Sequence, residues 1–315
     1  MPQKMNAIVV NDFQTGPSLQ TIDIPVPQND EVLLNVLAAS VRSRANGSHY
    51  SASPDQLPLV PGLDGVGRDQ QGNNYYFLAS NEKYGSMAQQ VPVSKKRLLP
   101  LPQKIDPAKI AASMNPALSS WMAIRQQLSA GVKDKNVLIL GATGYAGRLA
   151  VEIARYLGAR QIIAAGRNEE VLRSLPADGF IQLNDNLAPQ LNQLNQVDVV
   201  LDYLWGLPAQ NVLDGVLNSR SKPDALLEWV EIGSMAGSKI ELSAAVLRSN
   251  NIRFLGSGIG SIATAVFAKE LFSLAQLVAA GKFNVTPLQY QLEEFSQENW
   301  ENTKQRIVYI PNQFN

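Results

Sequence analysis

The sequence predicts an α/β protein with two domains, a partly open antiparallel β-barrel and a doubly wound parallel sheet. The chain has 315 residues, more than a single domain usually contains. The amino-terminal third consists of short stretches separated by Gly, Pro, Asn and Asp, a pattern typical of strands and turns. From Asn136 onward, short apolar segments alternate with segments of helical spacing, which indicates βαβ units.

The barrel is predicted from both ends of the chain. Polar and apolar residues mix along its candidate strands, as in sheets with one solvated face, and these strands are residues 7–10, 31–38, 75–78 and 87–93. From Pro107 the apolar spacing becomes helical, and helices are predicted at 111–114 and 120–128. After Gly281 the pattern breaks, and residues 289–294 and 306–310 again have the pattern of barrel strands. We therefore predict a barrel domain of residues 1–118 and 285–315.

The intervening residues, 119–284, are predicted to form the parallel-sheet domain. Its candidate strands are residues 137–140, 161–165, 180–183, 197–201, 226–232 and 252–255. Its candidate helices are residues 146–157, 209–217 and 262–280. Strands joined through helices in this way run parallel and are covered on both faces.

The charge balance excludes a general attraction to polyanions. Lys plus Arg and Asp plus Glu both number 27, so the net charge is zero and binding to nucleic acid or to an anionic membrane is not expected. No apolar run has the length of a membrane span, and residues 1–6 are too polar for a secretory signal. The expected location is the cytoplasm.

The chain has no cysteine and one histidine, His49. Protein zinc sites are built mainly from cysteine and histidine. The composition therefore predicts no metal site, and it excludes disulfides and thiol catalysis.

A glycine-rich motif, Gly141-Ala-Thr-Gly144-Tyr-Ala-Gly147, lies between the predicted strand 137–140 and the predicted helix 146–157. In dinucleotide-binding folds such glycines make a tight turn, let the pyrophosphate approach and allow close helix packing. The helix N-terminus adds free N–H groups and a positive dipole end. The alternative is a tight turn in a nucleotide-free protein. The candidate cofactor contacts here are Gly141, Thr143, Gly144, Tyr145, Ala146 and Gly147.

The second predicted strand of this domain is followed by Gly166-Arg167-Asn168, and Arg167 comes 20 residues after Gly147. An acid at this point would accept hydrogen bonds from the ribose of NAD, whereas an arginine suits the 2′-phosphate of NADP. A guanidinium can also stack on adenine. The alternative is a solvated arginine in a turn. The sequence favours NADPH, with Gly166, Arg167 and Asn168 as candidate contacts.

Further cofactor contacts are expected where the later strands end, because open α/β sheets bind ligands at that edge. They are Tyr203, Gly233, Ser234, Gly256, Ser257 and Gly258. The last three begin the segment Gly256-Ser-Gly-Ile-Gly260-Ser261, whose small residues suit a close approach of a ligand. The alternative is a flexible turn before a helix.

Several motifs resemble those of the medium-chain dehydrogenase/reductase superfamily. They are Pro61-Gly62-Leu63-Asp64-Gly65-Val66-Gly67, Gly85-Ser86-Met87-Ala88 and Arg306-Ile307-Val308. The spacing Gly141-x-x-Gly144-x-x-Gly147 is similar to that of its quinone oxidoreductase branch. The resemblance implies a GroES-like barrel domain and a Rossmann NADPH-binding domain. It also implies that Ser120 faces the nicotinamide side and that a homodimer forms through the edge strand 252–255.

The chain departs from the zinc-dependent members of that superfamily. Those enzymes have a cysteine near position 42 and a histidine–glutamate pair in the glycine turn, where this chain has Arg42, Leu63 and Asp64. A cysteine-rich lobe is also missing. The zinc-free quinone reductases commonly have asparagine where Arg42 stands, and their tyrosine matches Tyr50 in Gly47-Ser48-His49-Tyr50. The resemblance therefore implies a zinc-free reductase.

Tyr50 and Arg42 are the candidate catalytic residues. A phenol can donate a hydrogen bond to a carbonyl oxygen, and a guanidinium can stabilise negative charge that develops on it. The alternatives are an aromatic wall residue for Tyr50 and a salt bridge or phosphate contact for Arg42. The preferred hypothesis is hydride transfer from NADPH to a quinone or an α,β-unsaturated carbonyl. An NADPH-binding sensor or scaffold is the alternative, and single-stranded RNA binding is disfavoured by the neutral charge.

Overall fold

The computed structural model describes residues 3–41, 54–79, 83–184, 187–283, 285–301 and 305–312. The chain divides into two compact units. The first consists of Met1–Asn115 and Phe272–Asn315, and the second is the continuous segment Pro116–Leu271.

The strands of the described residues, in chain order, are β1 (Lys4–Val10), β2 (Pro17–Asp23), β3 (Glu31–Ser40), β4 (Asp64–Arg68), β5 (Asn74–Leu78), β6 (Gln90–Ser94), β7 (Leu98–Leu101), β8 (Asn136–Leu140), β9 (Gln161–Gly166), β10 (Gly179–Gln182), β11 (Val199–Asp202), β12 (Leu227–Glu231), β13 (Ile252–Gly256), β14 (Leu288–Gln291) and β15 (Ile307–Ile310). The α-helices are α1 (Pro107–Met122), α2 (Tyr145–Tyr156), α3 (Glu169–Ser174), α4 (Gly206–Ser219), α5 (Ala244–Ser249), α6 (Thr264–Ala279) and α7 (Gln297–Glu301). In the part of the chain that the structure describes, no helix combines the length and the apolar character needed to cross a bilayer.

The first unit is built on strands from both ends of the chain. A seven-stranded sheet has the order β14-β15-β3-β4-β5-β7, with β6 also paired to β3, and β1 and β2 form a separate antiparallel pair. The pairing is antiparallel except between β14 and β15. Its core includes the fully buried rings of Phe77 and Tyr309.

The second unit has a six-stranded sheet in the order β10-β9-β8-β11-β12-β13, and every pair is parallel. Counted within this unit, that is the order 3-2-1-4-5-6 of a doubly wound sheet, with the reversal between β8 and β11. β8 is buried along its whole length, as a central parallel strand must be. The structure thus confirms the predicted α/β class with a doubly wound parallel sheet.

Some predicted elements differ from the observed ones. Residues 289–294 were expected to be one strand, but β14 ends at Gln291 and a 3-10 turn follows over Leu292–Glu294. The turn buries Leu292 in the core, and Glu294 Oε2 accepts a hydrogen bond from the Gln291 N–H at 2.6 Å. The expected strand 87–93 begins only at Gln90. The alternation of polar and apolar residues could not predict where these strands begin and end, because the burial of each residue depends on partners that are distant in sequence.

The two helices expected at 111–114 and 120–128 are one helix, α1, which continues as a π-helical turn over Ala123–Gln127. A π turn contains one residue more than an α turn. Arg125 Nε donates to Glu270 Oε2 at 2.7 Å, and Gln126 Nε2 donates to Glu270 Oε1 at 2.9 Å. Trp121 Nε1 donates to Glu270 Oε2 at 2.8 Å. The widened turn lets two consecutive residues reach the same carboxylate.

Glu270 is therefore a buried anchor between α1 and α6, with 4% of its surface exposed. Burial alone would raise the pKa of Glu270, but the hydrogen bonds from Arg125, Trp121 and Gln126 and the charge of Arg125 outweigh it. The pKa of this carboxyl lies below its usual value of 4.5. Because the folded state holds the ionised form, its stabilisation is complete above that usual pKa and is lost as the pH falls through the lower folded-state value.

We predict that Glu270→Gln lowers the free energy of unfolding by about 2 kcal/mol at neutral pH, because three donor side chains lose a charged acceptor. Urea unfolding of the wild type and the variant, at neutral pH and at about pH 3, measures this difference. The gap should narrow at the lower pH, because the charge contribution of the wild-type carboxyl decreases as this group takes up a proton. The exposed Glu170 of α3 provides the control Glu170→Gln, which should change stability little. A gap of equal size at both pH values would contradict a role for the charge.

Candidate functional site

The carboxyl ends of the six parallel strands bring most of the predicted cofactor residues to one edge of the sheet. The residues that end or directly follow β8, β9, β11 and β13 are Gly141, Gly166, Tyr203 and Gly256, and Gly233 comes two residues after β12. In a doubly wound sheet this edge is where ligands bind, next to the reversal of strand order. The candidate site is therefore one continuous row of turns.

The turn after β8 is fixed by backbone contacts. Gly141 has a φ of +86°, a conformation that favours glycine. The N–H groups of Gly141 and Ala142 both donate to the Ala165 carbonyl at 2.9 Å. A Cβ on Gly147 would lie 2.3 Å from the Gly141 carbonyl oxygen, so only glycine lets α2 pack this closely.

Gly144 differs from those two glycines. Its φ is −78°, and a Cβ there would meet nothing closer than the Gly141 oxygen at 3.5 Å. Neither backbone strain nor internal packing therefore requires glycine at this position. Gly144 precedes α2, whose N-terminus has no side-chain cap among the described residues, so the space beside it can admit an anionic group.

Thr143 and Tyr145 connect this turn to its surroundings. A Cβ on Gly166 would lie 2.6 Å from Thr143 Cγ2, so the turns after β8 and β9 are in contact. Arg148 Nε donates to the Thr143 carbonyl at 3.0 Å, and its guanidinium lies 5.7 Å from the Tyr145 ring centre. Arg148 was not among the predicted site residues; its position directly after Gly147 was the available signal.

Arg167 lies exposed at the end of β9, and its carbonyl accepts a hydrogen bond from Gln182 Nε2 at 3.2 Å. Among the described residues, its guanidinium has no carboxylate within 4.0 Å. Asn168 caps α3, because its Oδ1 accepts from the Val171 N–H at 3.1 Å. That bond explains Asn168 structurally.

The Tyr203 side chain meets two adjacent serines of α1, Ser119 and Ser120. Its hydroxyl lies 3.4 Å from Ser119 Oγ, and Ser120 is fully buried with its Oγ donating to the Ala117 carbonyl at 3.2 Å. Burial raises the pKa of Tyr203 to about 12, against smaller opposite effects of Ser119 and Ser120. The phenol is therefore protonated at neutral pH and can donate a hydrogen bond. Ser119 was not among the site residues predicted from the sequence, although it directly precedes Ser120.

Asp202 fixes the turn after β11. Its Oδ1 accepts from the N–H groups of Leu204 at 2.8 Å and Trp205 at 3.0 Å, and its Oδ2 accepts from Trp229 Nε1 at 3.0 Å. Burial raises the pKa of Asp202, and these hydrogen bonds oppose the rise. Trp205 has a φ of 51°, a strained conformation for a bulky side chain. The buried carboxylate holds that conformation in place.

A cavity of about 400 Å³ lies beside the ends of β12 and β13. It is lined by Trp205, Glu231, Ser234, Ser238, Phe254, Leu255 and Gly256. Burial raises the pKa of Glu231, and the negative charge of Asp202 adds to the effect. Ser234 and Gly256 were predicted site residues, whereas Glu231 and Ser238 were not.

The segment that begins at the end of β13 contains three glycines, Gly256, Gly258 and Gly260, with open space where a side chain would project. The Ser257 N–H donates to the Glu231 carbonyl at 2.8 Å. A Cβ on Gly256, Gly258 or Gly260 would meet nothing within 4 Å. None of the three has a positive φ. Unlike Gly147, these glycines are not explained by packing within the described part of the chain.

The candidate catalytic residues Arg42 and Tyr50 lie outside the described residues, as does His49. In the first unit, Asp64 is buried and accepts a hydrogen bond from the Tyr76 hydroxyl at 2.6 Å. Within the described ranges, no group of three or more His, Asp or Glu side chains could hold a metal ion.

Known proteins support the sequence resemblance. No protein-family model matches the chain. A protein of Emericella nidulans described as a probable NADPH-dependent quinone reductase is 33% identical over 306 residues, which cover 81% of this chain and 84% of that protein. A chloroplastic NADPH-dependent alkenal/one oxidoreductase of Arabidopsis thaliana is 29% identical over 229 residues, which cover 64% of this chain and 58% of that protein.

Solved structures confirm the fold. The quinone oxidoreductase of Thermus thermophilus, also solved in complex with NADPH, has a TM-score of 0.78 at 21% identity, covering 97% of this chain and 100% of that chain. The structure of a probable oxidoreductase from Mycobacterium abscessus has a TM-score of 0.76 at 20% identity, covering 99% of this chain and 100% of that one. The predicted combination of a GroES-like barrel and a Rossmann domain is confirmed. This chain belongs to the medium-chain dehydrogenase/reductase superfamily, in its zinc-free, quinone-reductase-like branch.

Proposed function

We propose that this protein is a zinc-independent, NADPH-dependent reductase that transfers hydride to a quinone or an α,β-unsaturated carbonyl. The observation that carries the proposal is the edge of the parallel sheet, where the glycine turn at Gly141–Gly147 stands beside an exposed Arg167. The relatives described as NADPH-dependent quinone reductase and alkenal/one oxidoreductase support the same chemistry. Residues 119–284 form the cofactor-binding domain in this proposal, and residues 1–118 and 285–315 form the barrel domain.

The open space at Gly144 fits the pyrophosphate of the dinucleotide. A ligand oxygen can approach there because no side chain of the described residues fills that space, and the N-terminus of α2 directs its first backbone N–H groups and the positive end of its dipole toward it. Gly141 and Gly147 hold the turn itself in place. The proposed contacts of this region are Gly141, Thr143, Gly144, Tyr145, Ala146 and Gly147.

The exposed guanidinium of Arg167 fits the 2′-phosphate of NADPH. A planar guanidinium can donate two parallel hydrogen bonds to phosphate oxygens, and no carboxylate among the described residues competes for it. An acid at this position would instead select the unphosphorylated ribose. Gly166 leaves room beside Thr143, and Asn168 contributes its backbone, since its side chain caps α3.

The nicotinamide half is assigned to the turns after β11, β12 and β13. Bound NADPH supplies a hydride from its nicotinamide ring, and the protein supplies orientation and electrostatics. The protonated Tyr203 hydroxyl and the buried Ser120 offer hydrogen-bonding groups on one side of this region. The bare backbone of the later turns allows close approach, and the proposed contacts there are Gly233, Ser234, Gly256, Ser257 and Gly258.

Arg42 and Tyr50 remain the proposed catalytic residues. Hydride addition to a quinone or enone places negative charge on an oxygen, which needs a hydrogen-bond donor or a cation nearby. A chain without cysteine and with a single histidine lacks the usual ligands for zinc, so side chains must supply this stabilisation. Tyr50→Phe or Arg42→Met should then slow single-turnover reduction while NADPH affinity stays nearly constant.

We also propose that the protein is a homodimer. β13 pairs only with β12 among the described strands, so it lies at an edge of the sheet. The residues between these two strands expose Met235, Leu242 and Leu247. An edge strand flanked by apolar side chains favours pairing with a second copy. Sedimentation at the mass of one chain, 34.3 kDa, would contradict the dimer. The cytoplasmic location and the lack of nucleic-acid binding stay predictions.

We predict that the purified protein oxidises NADPH in the presence of quinones or α,β-unsaturated carbonyls, and that a strong metal chelator leaves the rate unchanged. Absorbance at the NADPH band follows the reaction, and metal analysis of the same sample checks for zinc. Saturated alcohols with NADP should be poor substrates, because the chain lacks zinc ligands for an alkoxide. Tight NADPH binding without turnover of any acceptor would favour the sensor hypothesis instead.

We predict that Arg167→Ala weakens NADPH binding about tenfold or more, because a charge-assisted contact to the 2′-phosphate is lost. NADH binding should change little, since NADH lacks that phosphate. Fluorescence titration of both cofactors measures the two dissociation constants. Arg248→Ala, at an exposed position on α5, is the matched control. Equal weakening of NADPH and NADH would show that Arg167 does not select the cofactor.

A further inference from the structure

A hydrogen-bond chain joins the π turn of α1 to the glycine segment after β13. Gln127 Nε2 donates to Ser261 Oγ at 3.0 Å. Ser261 Oγ in turn donates to the Gly258 carbonyl at 2.8 Å and accepts from the Gly258 N–H at 3.0 Å. The Gln127 side chain thus positions Ser261, whose hydroxyl closes the turn around Gly258.

The turn needs such support because its glycines have no packing partners among the described residues. A Cβ on Gly256, Gly258 or Gly260 would meet nothing within 4 Å, so no described side chain packs against these glycines at that position. Glycine also costs the most conformational entropy when a chain is ordered. A surface that binds a ligand through bare backbone must therefore be oriented by hydrogen bonds. Ser261 forms three of them with Gly258, because its backbone N–H also donates to the Gly258 carbonyl at 3.0 Å.

Gln127 is itself held by the rest of the π turn. Its neighbours Arg125 and Gln126 both bind the buried carboxylate of Glu270. Gln127, the last residue of the π turn, reaches Ser261 instead. The turn therefore connects a buried anchor on α6 with the exposed segment that precedes α6.

We propose that Gln127 is a positioning residue, which acts through Ser261 to orient the Gly258 turn toward the nicotinamide half of bound NADPH. This inference rests on the function proposed above. The directions of the hydrogen bonds around Ser261 require a donor, such as an amide, at position 127. The single hydroxyl proton of Ser261 is committed to the Gly258 carbonyl, so its partner must donate a hydrogen. An amide can donate, whereas a carboxylate only accepts.

The test compares the full-length wild type with Gln127→Ala, Gln127→Glu, Ser261→Ala, Ser261→Thr and the double variant Gln127→Ala with Ser261→Ala. Fluorescence titration gives dissociation constants for NADPH and NADH, and thermal unfolding checks stability. We expect Gln127→Ala and Gln127→Glu to weaken both cofactors about threefold, the size expected for one neutral hydrogen bond. Ser261→Ala should weaken binding at least as much, whereas Ser261→Thr keeps the hydroxyl and should bind like the wild type.

The double variant should bind no more weakly than Ser261→Ala alone, because Gln127 acts only through that hydroxyl. NADPH and NADH share the nicotinamide half, so these variants should weaken both in equal proportion, unlike Arg167→Ala. Gln161→Ala, at an exposed position at the amino end of β9, is the matched control and should change nothing.

Three results of the binding measurements would overturn the inference. They are wild-type affinity in Gln127→Ala, additive losses in the double variant, or a failure of Ser261→Thr to restore binding in a folded protein. A melting temperature lowered in parallel with affinity in Gln127→Ala and Ser261→Ala would also overturn it in favour of a purely structural bond. If the wild type binds neither cofactor, the proposed function fails and this inference fails with it. If the wild type binds NADPH and only the Gln127 and Ser261 variants behave unexpectedly, the inference alone fails.

Discussion

The second unit depends on the close approach of helix α2 to the turn that follows β8. Gly147 lies so near the Gly141 carbonyl that a methyl group would be 2.3 Å from the oxygen. This contact places the N-terminus of α2 at the carboxyl edge of the sheet, directly beside the turns after β9 and β11. In the same turn Thr143 packs against Gly166, where an added Cβ would lie 2.6 Å from its Cγ2. The shape of the candidate site thus follows from one backbone contact that a single residue type allows.

Buried carboxylates hold the remaining parts of that unit together. Asp202 accepts three hydrogen bonds and fixes the turn after β11. Glu228 pairs with Lys135 at 3.2 Å and accepts from the Ser129 N–H at 3.0 Å. Glu270 accepts from three side chains of α1 and its π turn. Each acid is buried, and each is surrounded by donors, because an unpaired carboxylate in the interior would be costly. Local backbone conformations that are unfavourable alone, such as those of Trp205 and the π turn, persist because these acids bind them.

The glycines of the site fall into two classes with different physical causes. Gly141 and Gly147 are required by the backbone and by packing within the chain. Gly144, Gly256 and Gly258 leave space that no described side chain fills. The first class explains how the fold forms, and the second is where we propose that a ligand approaches. Fold and chemistry are separate questions, since one fold hosts many reactions. The zinc-free chemistry agrees with the residue types of the chain, and the guanidinium of Arg167 is the proposed basis of the NADPH preference.

The sequence alone determined the features that depend on local order. Alternation of apolar strands and helices predicted the parallel sheet, and the glycine spacing between a strand and a helix predicted the cofactor turn. Arg167 could be singled out because its place after the second strand is defined by counting along the chain. The tertiary structure decided the features made by residues distant in sequence. The π turn exists because Glu270 lies beside α1, and the contact of Tyr203 with Ser119 joins segments 84 residues apart. Periodicity reports which face of an element is apolar, but hydrogen-bond partners across the fold depend on how elements pack, which no local pattern encodes.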